Sequence, residues 1–180
     1  MSVQKRLAAL GAIVVFAGAI VLSGCGDASD KVAEKVAESQ TDGKVKIDSD
    51  DGSVEYTDED GNKTQFNTGG GASLPDDWPE ALAPPDGVNI ISSSTSTVDG
   101  KRSMVVFADA EGTVSDFFEG IKTQITSVGY AIDQEGSTDA TGGSYATLTA
   151  SDSSSSILVS ISDDSSDSGK VDITFTVTEK

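Results

Sequence analysis

From Val45 to the C-terminus, short runs carry an apolar side chain at every second position and are separated by turn residues. A strand buried on one face needs that period, because successive side chains point to opposite sides of a sheet. The runs are Val45 and Ile47; Val54 and Tyr56; Thr64 and Phe66; then Ala146, Leu148 and Ala150; Ile157, Val159 and Ile161; and Val171, Ile173, Phe175 and Val177. Asp51-Gly52 and Asp60-Gly61 divide the early runs, and Asp99-Gly100 joins residues 88–98 to residues 103–108. In each pair the Gly accepts the positive φ of a tight hairpin turn. Residues 130–133 read as extended chain once more. Strands joined by turns this short lie antiparallel.

One segment follows a different period. Thr113 to Asp116 fits a capping box, and Val114, Phe117, Phe118, Ile121, Ile125 and Val128 then recur at helical spacing, with Gly129 where a left-handed cap belongs. A weaker helical stripe, Val32, Ala33, Val36 and Ala37, lies in residues 31–38, with Ser29 or Asp30 as its cap. The expected class is α+β: an antiparallel sheet with one helix packed on one face, ββαββββ-like, preceded by a short helix and a small β-meander. The expected division is residues 1–24 as a leader, 25–67 as a short helix and acidic meander, 68–87 as a Gly/Pro-rich linker, and 88–180 as the main domain.

The N-terminus carries an address. Lys5 and Arg6 precede a sixteen-residue uncharged run, residues 7–22, which is shorter than the roughly 20 residues that span a bilayer. The run ends in Leu22-Ser23-Gly24-Cys25, which holds the chain's single Cys. Taken alone, these residues also suit an uncleaved membrane helix with a small apolar Cys beside it. Leu-Ser-Gly-Cys closely resembles the lipobox of bacterial lipoproteins. That resemblance implies cleavage before Cys25 and a covalent diacylglyceryl lipid, with palmitate-type chains, on its thiol. It places the protein at the cell membrane, lipid-anchored, on the extracytoplasmic face. Two acyl chains give stable anchoring where one gives marginal binding.

The wider arrangement is similar to small uncharacterised envelope lipoproteins of Gram-positive-type bacteria. The matching residues are Leu74, Pro75, Trp78, Pro79, Pro85 and Gly87, followed by the helix that begins at Val114. The resemblance implies an envelope location and no particular activity.

Charge and residue usage exclude several chemistries. With 30 acidic and 12 basic residues, no His and one Cys, the chain has no His-based triad, no His-ligated zinc and no internal disulfide. A net charge of −18 gives nucleic acid nothing to bind. Removing residues 1–24 takes away Lys5 and Arg6 and leaves the mature chain more negative still. Anionic headgroups repel such a surface, so the domain is expected to stand off the membrane it is tied to.

Candidate sites are few. Asp48, Asp50, Asp51, Glu55, Asp58, Glu59 and Asp60 are dense enough to suggest Ca²⁺, but Gly52 and Ser53 fall where an EF-hand loop needs a ligand and then Gly. Asp163, Asp164 and Asp167 invite the same reading, and no metal site is expected at either place. Asp76-Asp77 are carboxylate neighbours, and neighbours in sequence seldom flank a glycosidic bond at the required separation. Among the many serines, the only Ser-x-x-Lys, Ser2 to Lys5, lies in the leader, and residues 151–156 read as a polar loop. Trp78, between Pro75 and Pro79, either offers a rigid aromatic contact to a partner or folds back onto the core.

The leading expectation is a non-catalytic binding or interaction module of the cell envelope, its partner an unidentified envelope protein or small ligand. It takes no cofactor beyond the lipid on Cys25. An exposed apolar or aromatic patch is expected around Trp78 or on the free face of the sheet. The alternatives are an acidic structural or weakly Ca-binding lipoprotein and a small hydrolase.

Overall fold

A computed structural model describes residues 44–48, 52–69, 72–140, 143–164, 167 and 169–180. Nine strands follow one another as β1 (Val45–Asp48), β2 (Ser53–Thr57), β3 (Lys63–Thr68), β4 (Asn89–Val98), β5 (Lys101–Glu111), β6 (Ala131–Ala140), β7 (Gly143–Ser151), β8 (Ser155–Asp163) and β9 (Lys170–Glu179). They form one antiparallel sheet in the order β1-β2-β3-β4-β5-β9-β8-β7-β6. The helix α1 (Val114–Ser127) lies between β5 and β6 in sequence.

This order explains why a single helix suffices. Every sequential pair except β3/β4 and β5/β6 is separated by only a few residues in sequence. Counting the antiparallel steps through β9, β8 and β7 makes β5 and β6 parallel, so the chain must cross over the sheet between them. The Val114 periodicity supplies the crossing. The Thr113 side chain caps it by accepting from the Asp116 backbone N–H at 3.2 Å. Val114, Phe118, Ile121 and Ile125 are its buried stripe and rest against β7 and β8. At its end Gly129 takes φ 96°, and the Tyr130 N–H reaches the Ile125 carbonyl at 3.3 Å.

The segment from Ala72 to Val88 is a strap on the same face as α1. Trp78 is buried, its ring set edge-on to Phe175 of β9 at 6.5 Å and 86°, and its indole N–H donates to the Leu82 carbonyl at 3.0 Å. Gln124 of α1 donates to the carbonyls of Ala81 and Ala83 at 3.3 and 2.8 Å, which holds helix and strap side by side. Together they cover Met104 and Val106 of β5, Val171 to Val177 of β9, Ile157 to Ile161 of β8 and Ala146 to Ala150 of β7.

The α+β expectation is overturned. Among the described residues the molecule is predominantly β, one continuous nine-stranded antiparallel sheet bearing one α-helix. Two features account for this. The meander is not a preceding element, because β3 pairs with β4 from Lys63↔Thr97 to Thr68↔Ser92 and extends the sheet by three strands. The extended chain at residue 130 continues to Ala140 as a full edge strand, whose largely exposed, charged residues mask the period-two signal. The helix expected at residues 31–38 lies outside the described residues.

Candidate functional site

Alternation gives each strand two faces, and among the described residues α1 and the strap cover only one of them. The register carries the uncovered face across the sheet in rows. One row runs Ile47, Val54, Phe66, Ser94, Val105, Thr176, Leu158, Thr149, Gln134, crossing all nine strands. On one side of it lies Val45, Tyr56, Thr64, Ser96, Ser103, Thr178, Ser156, Ser151, Ala131. On the other lies Thr68, Ser92, Phe107, Thr174, Ser160, Thr147, Gly136.

None of these three rows contains a charged residue, in a chain where 23% of residues are charged. Ser and Thr fill more than half of the positions. Eight strand spacings and two row spacings make the surface about 38 Å by 14 Å, on the order of 500 Å² before side chains are added. Charge begins one row further out, with Asp109 facing Asp172.

The same face holds the large apolar side chains that the core leaves out. Phe66, Phe107, Tyr145 and Leu158 are 42–48% exposed, and each points away from α1. Their phase shows why. In β8, Ile157, Val159 and Ile161 are buried against the helix, so Leu158 between them must face outward. In β5, Met104, Val106 and Ala108 are buried, and Phe107 faces outward. The meander is out of phase with the core: Val45, Ile47, Val54, Tyr56 and Phe66 all fall on the uncovered side. Hydroxyls pair across strands between these side chains, Thr64 with Ser96 at 3.3 Å and Ser103 with Thr178 at 3.4 Å.

The ionic groups are used elsewhere. Arg102 donates to Glu179 through Nε and Nη2 at 3.0 and 2.6 Å and also binds Asp77, clipping the strap to β5 and β9. The hydrogen bond from Arg102 holds the Glu179 carboxyl below the ordinary carboxylate range, and the guanidinium is raised by the same bond. Asp58 accepts from the Asn62 side chain at 2.9 Å and from backbone N–H groups of Asn62 and Asp60 at 2.8 and 3.0 Å. Its carboxyl is lowered, first by the Asn62 side chain. Asp152 is lowered by the backbone N–H groups of Ser154 and Ser155, which it accepts at 2.7 and 2.8 Å. On the helix side Lys122 pairs with Glu135 at 2.7 Å, and the Glu135 hydrogen bond raises the ammonium.

Several sequence candidates resolve into structural roles. Trp78 is a core residue and presents no ring to a partner, because the ring is buried in a T-shaped contact with Phe175 and its N–H is spent on the Leu82 carbonyl. Asp76 and Asp77 line a cleft of about 110 Å³ with Gln65, Asn67 and Thr95, and Asp77 is neutralised by Arg102. Residues 151–156 end β7, turn on Asp152 and start β8, where Ser155 is buried against the Tyr130 hydroxyl at 2.5 Å. Asp163 accepts the Ser144 N–H at 2.6 Å, and Asp167 pairs with Lys170 at 3.3 Å. Ser144, Asp163 and Lys170 border an open hollow of about 680 Å³ at the start of α1. Among the described residues no three acidic side chains gather as a metal site, and no helix is long and apolar enough to cross a membrane. Cys25, Asp50 and Asp51 lie outside the described residues.

The sequence pointed to the free face in general terms but to none of its residues. A signal exists: Phe107 and Leu158 are large apolar residues on the off-phase positions of strands whose in-phase set is already complete. Compared with protein-family models, curated proteins and solved structures, the chain matches none.

Proposed function

We propose that the protein is an exported lipoprotein, anchored through a lipid on Cys25 at the outer face of the cell membrane, that acts as a non-catalytic binding module of the envelope. Its contact surface is the open face of the sheet. The observation that carries this reading is the three uncharged rows. A chain at −18 spreads carboxylates over its turns, over the helix side and over the margin of the open face at Asp109 and Asp172, yet leaves clear of charge the three rows that bear Phe66, Phe107 and Leu158. Solvation alone favours no such gap, whereas a contact surface does, since charged groups are depleted where water is displaced. The lipobox residues and the acidic surface support the remainder: the tether holds the domain, and its charge keeps it off anionic headgroups.

Two measurements test the parts separately. With Cys25→Ala, labelled fatty acid should no longer enter the protein and the leader should persist. A photo-crosslinking residue at Phe107 should capture a defined species in intact cells, and the same residue at Glu119 on the exposed side of α1 should not. Equal capture at both positions, or none at Phe107, removes the face from consideration.

A further inference from the structure

We infer that the open face takes a neutral, hydroxyl-rich polysaccharide chain; this rests on reading that face as the contact surface. The central row carries the inference. From β3 to β7 it runs Phe66, Ser94, Val105, Thr176, Leu158, Thr149, an apolar side chain and a hydroxyl in strict alternation. At about 4.8 Å per strand, apolar contacts recur every ~10 Å with a hydrogen-bonding group between each pair. A sugar ring is built the same way, with an apolar C–H face and a hydroxyl edge. A chain of such rings laid across the strands meets C–H surface with Phe66, Val105 and Leu158, and hydroxyl with Ser94, Thr176 and Thr149.

Other partners fit less well. A dry protein face would cover a field of hydroxyls of which Thr64 with Ser96, Ser103 with Thr178 and Thr68 with the Gly52 carbonyl are already paired, and each of the others left stranded offsets about what one buried apolar side chain contributes. A ligand that brings its own hydroxyls and water leaves none stranded. Anionic polymers and anionic lipid are repelled by the molecule's field, and a basic partner would seek the carboxylates at the turns and not the three rows that lack them.

The test is co-sedimentation of the full mature protein, in detergent, with insoluble cellulose, chitin and starch, using carboxymethyl-cellulose resin as the anionic control. Retention is expected on at least one neutral polymer and not on the anionic resin, with little change between low and high salt. Leu158→Asp, whose side chain already faces solvent, should lower retention at least tenfold, and Ser94→Ala combined with Thr149→Ala should lower it severalfold. Glu119→Gln should leave it unchanged. Absence of retention on all three neutral polymers overturns the assignment, as does retention that Leu158→Asp leaves intact. If retention is absent while the Phe107 crosslinker still captures a protein, or while Leu158→Asp abolishes a concentration-dependent dimer, the polysaccharide is wrong and the contact surface stands. If crosslinking fails as well, both readings fall.

Discussion

Trp78 shows how a residue with two readings is decided by its neighbours. Its segment is held rigid by Pro75 and Pro79, which suits either an exposed anchor or a buried plug. Phe175, offered by β9 directly beneath, makes it the plug. Trp78→Ala should cost about 3–5 kcal/mol in urea unfolding, as large aromatic deletions from cores do. Trp78→Phe should cost only about 1 kcal/mol, mostly for the lost bond to the Leu82 carbonyl. Arg102 holds the same strap from outside through Asp77 and Glu179. Because Glu179 titrates lower in the folded chain than unfolded, its contribution is present above the ordinary carboxylate value near 4 and fades as pH falls below it. Glu179→Gln should therefore lower the melting temperature at pH 7 and lower it less at pH 2.5. An equal loss at both would show that the side chain acts through packing.

At the level of elements, α1 was legible because a complete set of signals coincided: a capping Thr113, a four-residue apolar stripe and a closing Gly129. Thr113→Ala should cost about 1 kcal/mol, the usual loss for an N-cap. The hairpin at Asp99-Gly100 was equally plain, since both residues adopt positive φ, at 52° and 77°. β7, β8 and β9 were readable because one phase of each is wholly apolar. What failed was reading elements whose partners lie far off in sequence. The pairing of β3 with β4 depends on the intervening strap, and nothing in either strand records which side of the sheet the meander's apolar residues face. β6 was underestimated because this edge strand is exposed and polar along nearly its whole length and has no apolar phase to detect. Amide exchange should follow this order, slowest in β5, β9 and β8 and fastest in β1 and β6. Protection in β1 equal to that in β9 would mean that more than β2 pairs with it.

On the scale of the whole molecule, the sheet separates two kinds of surface. One face is dry core under α1 and the strap, and the other is an uncharged, hydroxyl-dense platform bounded by carboxylates. A net charge of −18 repels itself, so raising NaCl from about 10 mM to 500 mM, which shortens the screening length from ~30 Å to a few ångströms, should raise the melting temperature. A fall with salt would show that ion pairs such as Arg102–Glu179 outweigh repulsion. The open face itself is tested most directly by hydroxyl-radical footprinting of the protein in isolated envelopes against the purified protein. Phe66, Phe107, Tyr145 and Leu158 should lose most of their labelling in the envelope, while Val128, equally exposed at the end of α1, keeps its own. Unchanged labelling of those four residues, or equal protection of Val128, would mean that the sheet's uncovered side is not where this protein meets its partner.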